Sequence, residues 1–287
     1  MIYNKNGSLL NEAFSIAGQL LTSAFNVSGL QVYPDSVTIK VMSYNVGEWY
    51  YGAGDNVPSD KDAEYYALQN GMIEANDPDV LCIQEYWKIF SKAGRTAKSM
   101  LEQYFPYIIE QGGDSGYYGH CICSKYPISN YVQRHYTDNN QRYYDSCTIT
   151  ISGIPVTFIN THLDVRSQEN RTAEIGELLA FMATQTRVIL CGDFNTGIGT
   201  ATANTESTPY VNNVKPFIDA GYHSANFSDF GFMVTCIDRL TDVPYYLDNI
   251  YTSSNITIDN AEVDETKLND LINDPIDHMP LIATLTI

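Results

Sequence analysis

The sequence predicts an α/β (α+β) chain: two packed mixed β-sheets forming a sandwich with flanking helices, plus a short N-terminal repeat. Three observations carry this. From Val37 onward, apolar β-branched runs outnumber helical stretches. Some neighbouring runs are joined by Gly-containing turns, as hairpins are, whereas others are separated by a helix able to cross over a sheet. The composition is globular, since 44% of the 287 residues are hydrophobic, enough for one large α/β domain or two small ones.

At the N-terminus, LLNEAFSIAGQ (Leu9–Gln19) is followed directly by LLTSAFNVSGL (Leu20–Leu30), and Tyr3, Phe14 and Phe25 repeat at the same period of 11, as do Gly7, Gly18 and Gly29. Glycine with Asn or Ser in each period argues against a continuous helix and for short strands joined by turns. Such short units bury little alone, so they are expected to pack on the domain or on another chain, serving attachment or oligomerisation. The pattern resembles short N-terminal repeats of some phage tail and virion-associated proteins. VYPDS (Val32–Ser36) reads as a linker, which places a repeat and linker at 1–36 and the main domain at 37–287.

Within that domain SVTIKVMSYNVG is a strand. SDKDAEYYALQNGMIEAND is a helix capped by Ser59 or Asp60, with Pro78 just past its end. DVLCIQEYW is a strand and RTAKSMLEQYF a short helix. GHCICSKYPI, YYDSCTITISG and IPVTFINTHLD are three strands, the last two joined by a Gly-containing turn. SQENRTAEIGELLAFMAT sets Ile175, Leu178, Leu179 and Met182 at helical spacing. RVILCGDFNT is a strand, the Thr/Asn/Ser-rich stretch near 196–213 a long loop, and LDNIYTSSNITI and MPLIATLTI the last strands.

The formal net charge of −18 repels nucleic acid and anionic membranes at long range, although a local basic patch can override this. Five of the six cysteines (Cys82, Cys121, Cys123, Cys147 and Cys191) sit in β-like apolar runs and are expected to be buried free thiols; Cys121 and Cys123 have no zinc-type partners nearby. No apolar stretch is long enough to span a membrane, and no basic region precedes an apolar core at the N-terminus. The expectation is a reduced, cytoplasmic protein.

Six strand-like runs bear or abut carboxylates, amides or imidazoles: Asn45; Glu85; Asn160, His162 and Asp164; Asp193 and Asn195; Asp248; and Asp277 with His278. In the third and fourth runs the polar residues alternate and so share a face. A carboxylate buried without a partner costs several kcal/mol, so such a set implies convergence on a metal or a phosphate. Oxygen ligands suit Mg²⁺ or Mn²⁺, and two histidines can move protons. Gly192 reads as a close-approach position and Phe194 as a core residue.

Seven ordered motifs, SYNVG, LCIQE, GHCICSKYPI, INTHLD, CGDFN, LDNIY and DHMPL, resemble those of the endonuclease/exonuclease/phosphatase superfamily, the metal-dependent hydrolases of pancreatic-deoxyribonuclease fold. The likeness runs from about Val37 to the C-terminus. It implies that Glu85 ligates the metal with Asn45 close to the same ion, and that Asp277 completes the metal site or fixes its neighbour. Asp193 and Asn195 orient the attacking water and hold the phosphate. His278, oriented by Asp248, is the candidate general base. His162 contacts the phosphate and is the candidate to protonate the leaving group, with the division of acid and base between the two histidines left open. Arg171 reads as structural. His120 stands where the family usually has a small or polar residue; it either touches substrate or, the reading taken, bonds to backbone at a strand end. His135 and His223 read as solvated loop residues.

The resemblance implies a Mg²⁺- or Mn²⁺-dependent phosphoesterase. Leu247 and Asn249, flanking Asp248, lack the basic residue of inositol-polyphosphate phosphatases. Tyr245, Tyr246 and Leu247 lack the arginine of abasic-site endonucleases. YYLDN partly echoes bacterial sphingomyelinases, which are secreted. Between Tyr86 and Leu101, Lys88, Lys92, Arg95 and Lys98 occur with no acidic residue, directly after Glu85. That segment favours a polyanion, hence a DNase-like endonuclease with Lys88, Lys92 and Arg95 binding substrate. A small-molecule or lipid-headgroup phosphoesterase is the alternative, and a virion-associated or surface-binding protein with secondary hydrolase activity is a further one.

Overall fold

The structure, a computed structural model, describes residues 2–3, 31–32, 36–47, 62–86, 88, 91–92, 95–111, 119–137, 142–196, 210–237, 243–265 and 278–287. Residues 4–30 of the N-terminal repeat, residues 197–209 of the long loop, the caps at Ser59 and Asp60, and Asp277 lie outside the described residues. At the N-terminus, Ile2–Tyr3 pairs antiparallel with Gln31–Val32.

Twelve strands form two six-stranded mixed sheets. In chain order they are β1 (Thr38–Asn45), β2 (Val80–Tyr86), β3 (Tyr107–Gln111), β4 (Gly119–Ser124), β5 (Ile128–His135), β6 (Tyr143–Ile151), β7 (Ile154–His162), β8 (Val188–Asp193), β9 (His223–Ser224), β10 (Asp248–Thr252), β11 (Thr257–Val263) and β12 (Leu281–Thr286). The first sheet has the order β11-β12-β1-β2-β4-β3 and the second β9-β10-β8-β7-β6-β5. Only β1–β2 and β7–β8 pair parallel among these strands. A parallel pair needs a crossover, and each has one: α1 (Asp62–Asn76) joins β1 to β2, and α3 (Gln168–Met182) joins β7 to β8. The short helices α2 (Ala97–Leu101) and α4 (Lys215–Asp219) complete the outer layers.

Three apolar clusters hold these layers. Between the sheets, Cys82, Ile122, Cys147, Phe158, Cys191 and Ile250 interdigitate. Met72, Ile73, Met100 and Leu101 from α1 and α2 pack on the outer face of the first sheet. Ile175, Leu178, Met182 and Phe217 from α3 and α4 pack on the second, together with Phe194, which faces the core as its alternation requires. A Leu or Phe side chain buried in this way contributes about 1.5–3 kcal/mol. All six cysteines are buried free thiols. Among the described residues no helix is long and apolar enough to cross a membrane.

The structure adds elements that the sequence pattern left unread. β5 is an edge strand, half-exposed along most of its length, so it lacks the apolar run that marks an inner strand. β3 is the other sheet's edge and is likewise only partly buried, and it follows α2 where the predicted helix continued to Phe105. LDNIYTSSNITI divides into β10 and the start of β11, because a turn closed by Ile256 N–H to the Ser253 carbonyl at 2.9 Å reverses the chain. The predicted loop ends in helical structure at Tyr210–Val214, which leads into α4. His135 and His223 belong to strands but are exposed.

Candidate active site

The carboxyl ends of the two parallel strand pairs converge on one end of the sandwich. Asn45 ends β1, Glu85 is the penultimate residue of β2, His162 ends β7 and Asp193 ends β8. In the second sheet the register sets Asp248, Asp193 and His162 level across β10, β8 and β7. Asn45 and Glu85 of the first sheet face them, as does His278, which precedes β12 and bridges Cys236. His278 Nδ1 lies 2.8 Å from Asp248 Oδ2, Asn45 Nδ2 donates to Asp193 Oδ2 at 3.0 Å, and Glu85 Oε1 lies 4.0 Å from His162 Nδ1. Asp193 Oδ2 is the point of convergence, since His162 Nε2 and His278 Nε2 approach it at 3.4 and 3.6 Å. Asn195 closes the same turn: its N–H donates to Asp193 Oδ1 at 2.8 Å and its Nδ2 to the Leu163 carbonyl at 2.9 Å.

Local backbone makes this geometry possible. Glu85 and Asn195 have φ of 54° and 48°, a conformation that costs a non-glycine residue about 1–3 kcal/mol and tends to gather at functional sites. The β2–β4 register shifts between Ile83 and Tyr86, so Glu85 sits in a bulge at the sheet's end. Gly192 is needed because a Cβ there would stand 2.5 Å from the Thr161 carbonyl oxygen of β7. Beneath the site Gln84 Nε2 donates to Asn160 Oδ1 at 2.7 Å, and Asn160 Nδ2 donates to the Ile83 and Cys121 carbonyls, tying the sheets together. Asp164, predicted to share the face of Asn160 and His162, instead leaves the sheet. Its Oδ1 accepts from the Arg166 and Ser167 N–H groups at 2.7 and 2.6 Å in the turn before α3.

The site is rich in negative charge. Burial pushes the Asp248 carboxyl up to about 6, against the pull of His278. Burial, the largest single influence, would lower His278, but the adjoining Asp248 carboxylate together with Cys236 and Asp193 holds the imidazole well above its ordinary value. His162 goes the other way: burial, reinforced by the charges of Arg142, His120 and His278, drives it well below. Asp193, Asp248 and His278 each offer a ligand atom within 4.8 Å of the others. Asp248 Oδ1 is buried without a hydrogen bond from the described residues. A single Asn45 amide, 3.2 Å from Glu85 Oε1, separates that carboxylate from Asp193. Oxygen donors with an excess of negative charge fit a hard divalent cation, and no thiol belongs to the cluster.

The endonuclease/exonuclease/phosphatase family model matches residues 25–272 of the 287. The chain belongs to that family. Its members are hydrolases acting on phosphate esters. Among solved structures, an endonuclease/exonuclease/phosphatase from Beutenbergia cavernae aligns with a TM-score of 0.66 at 15% identity, covering 86% of this chain and 71% of that one. TDP2 from C. elegans aligns with a TM-score of 0.61 at 17% identity, covering 87% and 75%. A 3′ phosphatase from Neisseria, solved with a product DNA hairpin, aligns with a TM-score of 0.62 at 18% identity, covering 85% and 98%. At these identities the likeness is one of fold. No curated protein matches the chain.

Lys88 is exposed, with Nζ 3.5 Å from the Glu110 carbonyl on β3. Lys92 and Arg95 stand opposite each other in the backbone register of a small hairpin, Ser91–Lys92 with Arg95–Thr96. Arg171 is structural: Nη1 donates to the Asp164 carbonyl at 2.8 Å and Nη2 to Gln168 Oε1 at 3.1 Å. His120 does not bond to backbone as read. Its Nδ1 lies 2.9 Å from Asp145 Oδ2 on the opposite sheet. Sequence reasoning also passed over Arg142, at the head of β6, whose charge bears on both His162 and Asp164. The available signal was a basic residue beside a strand whose neighbour β7 ends in the site.

Proposed function

We propose that the chain is a divalent-metal-dependent phosphodiesterase, a DNase-like endonuclease that opens a phosphodiester bond by in-line attack of water. The observation that carries this reading is the pair of facing rows, Asp248–Asp193–His162 against His278–Asn45–Glu85. Glu85 and Asn45, with Asp277, would hold Mg²⁺ or Mn²⁺. That ion supplies charge neutralisation at the phosphate and the leaving oxygen.

The chain's own residues account for the proton and the orientation. A water held by Asp193 gives its proton to His278 Nε2 as its oxygen attacks phosphorus and the ester P–O bond breaks, and the leaving oxygen departs as an alkoxide that takes its proton from solvent. Asp248 keeps the Nδ1 proton in place and stabilises the imidazolium that forms. Asn195 holds a phosphate oxygen. His162, driven toward its neutral form, serves as a hydrogen-bond donor to the phosphate and not as a store of a spare proton, which favours the first of its two expected roles.

The basic segment with Lys88, Lys92 and Arg95 supports a nucleic-acid substrate, as does the DNA bound to the Neisseria 3′ phosphatase. Plasmid DNA, RNA, abasic DNA, sphingomyelin and a chromogenic diester, each assayed with Mg²⁺, Mn²⁺ or EDTA, test the reading. Plasmid cleavage that needs metal and falls steeply with salt is expected. Cleavage of none of them would refute the enzyme, and turnover of sphingomyelin alone would move the assignment to a lipid headgroup. Neutralising Lys88, Lys92 and Arg95 together should weaken plasmid cleavage and spare the small diester. We read residues 1–36 as an appendage outside the catalytic domain, so deleting 1–30 should leave hydrolysis intact and abolish any oligomerisation or attachment.

A further inference from the structure

The facing rows of site residues do not stop at Glu85 and His162. In the first sheet the strand beyond β2 is β4, about 4.8 Å away, and the bulge carrying Glu85 stands opposite His120. In the second sheet the strand beyond β7 is β6. One step past its Tyr144–Thr161 pair brings Tyr143 level with His162. The two additions meet: the His120 and Tyr143 rings lie 4.5 Å apart between centroids, and His120 Nδ1 lies 2.9 Å from Asp145 Oδ2, two residues along β6. The series of facing pairs, His278 with Asp248, Asn45 with Asp193 and Glu85 with His162, therefore continues with His120 against Tyr143 and Asp145.

This last pair has the form of the His278–Asp248 pair at nearly the same separation, and His120 and Asp145 are only 3% and 1% exposed. Asp145 is fixed further by the Tyr131 hydroxyl, which donates to its Oδ1 at 2.6 Å. The neutral Gln84–Asn160 bond already clasps the sheets at this end. A clasp needs no ionisable pair, whose desolvation a neutral one avoids. With Nδ1 committed to Asp145, Nε2 has no hydrogen bond from the described residues. The charge of His120 also reaches His162.

We propose that His120 is a substrate-binding residue, whose Nε2 donates to an oxygen of the substrate phosphate on the β4 side of the site, away from His278. Asp145 acts through His120 and is a positioning residue. This inference rests on the phosphoesterase reading above.

His120→Asn tests it, because the shorter amide can keep the N–H toward Asp145 while deleting the group at Nε2. In hydrolysis of a chromogenic diester, KM and the inhibition constant of inorganic phosphate should rise about tenfold or more, the worth of one hydrogen bond to a charged group. kcat should change less, and Tm should stay within a few degrees. His120→Gln, which replaces the Nε2 donor and gives up Asp145, should recover part of the loss. Wild-type KM and phosphate inhibition in His120→Asn would reduce the pair to a clasp and overturn the proposal. An independent measurement uses the unaltered chain: the imidazole ¹⁵N resonances of His120, identified by their absence in His120→Asn, should shift as inorganic phosphate is titrated. Resonances that stay fixed up to saturating phosphate would equally overturn it. A chain that hydrolyses no phosphate ester would sink the functional reading, while the titration would still decide the role of His120.

Discussion

Replacing Asp248 by Asn removes a charge from the centre of the site and leaves its shape. The Oδ2 that now faces His278 Nδ1 at 2.8 Å sits on a residue 1% exposed, so the bond is charge-assisted and shielded from water. A hydrogen bond to a charged group contributes about 1.5–3 kcal/mol, and breaking a buried ion pair costs about 3–5 kcal/mol. At 1.36 kcal/mol per tenfold in rate, kcat should fall by about 10- to 5000-fold, with KM little altered. A second readout has a definite sign. Of the groups that together hold His278 above its ordinary value against burial, the Asp248 carboxylate is the strongest. A general base works in its neutral form, so kcat should rise with pH through that raised value in the wild type. In Asp248→Asn the same rise should move to lower pH. Steady-state hydrolysis of a chromogenic diester across pH 5–9 at fixed metal measures both, with thermal unfolding as the control for folding. A kcat within about threefold of wild type, or an unmoved acid limb, would refute the assignment of the pair as base and orienter.

Three further outcomes are expected. In the unliganded protein both members of the pair have raised values, so the folded chain holds protons that the unfolded chain releases: Asp248 contributes stability fully below 3.8 and loses it through about 6, and His278 contributes fully below 6.5 and loses it above. The Tm advantage of wild type over an Asp248→Asn/His278→Gln double variant should therefore shrink as pH rises from about 4 to 8, and an advantage that grows would contradict the sign. Gly192→Ala puts a Cβ 2.5 Å from the Thr161 carbonyl oxygen and must push β7 and β8 apart, costing about 1–3 kcal/mol as a lower urea midpoint; an unchanged midpoint would show that the strands part freely. Glu85→Gln can keep the Asn45 contact but loses the charge. Calorimetry should show Mg²⁺ and Mn²⁺ affinity reduced at least about tenfold with the metal-free Tm retained, and wild-type affinity would remove Glu85 from the metal site.

Periodicity and punctuation are local properties, and the chain shows them plainly. β7 and β8 are buried runs that end on His162 and Asp193, and a run that ends on a polar residue at a sheet's edge announces a site. Phe194 and Gly192 follow from the same alternation and spacing. The edge strands β3 and β5 were not legible, because half-exposed strands carry no clean apolar signal. Asp164 was misplaced for a related reason: the period of two holds only while the chain stays extended, and the chain turns directly after His162.

The sequence by itself determined the two-sheet class, the family motifs in their order, and which polar residues end the buried strands. Tertiary structure alone decided which of them meet. Asn45 bonds Asp193 across 148 positions of chain and His120 bonds Asp145 across 25, both between opposite sheets, and His278, just before β12, bonds Asp248 across 30. Those pairings depend on two independent registers and on one bulge at Glu85, and no local pattern records how one sheet is set against another. His120 shows the consequence most clearly: its own strand gave it no partner but backbone, and the facing sheet supplied a carboxylate.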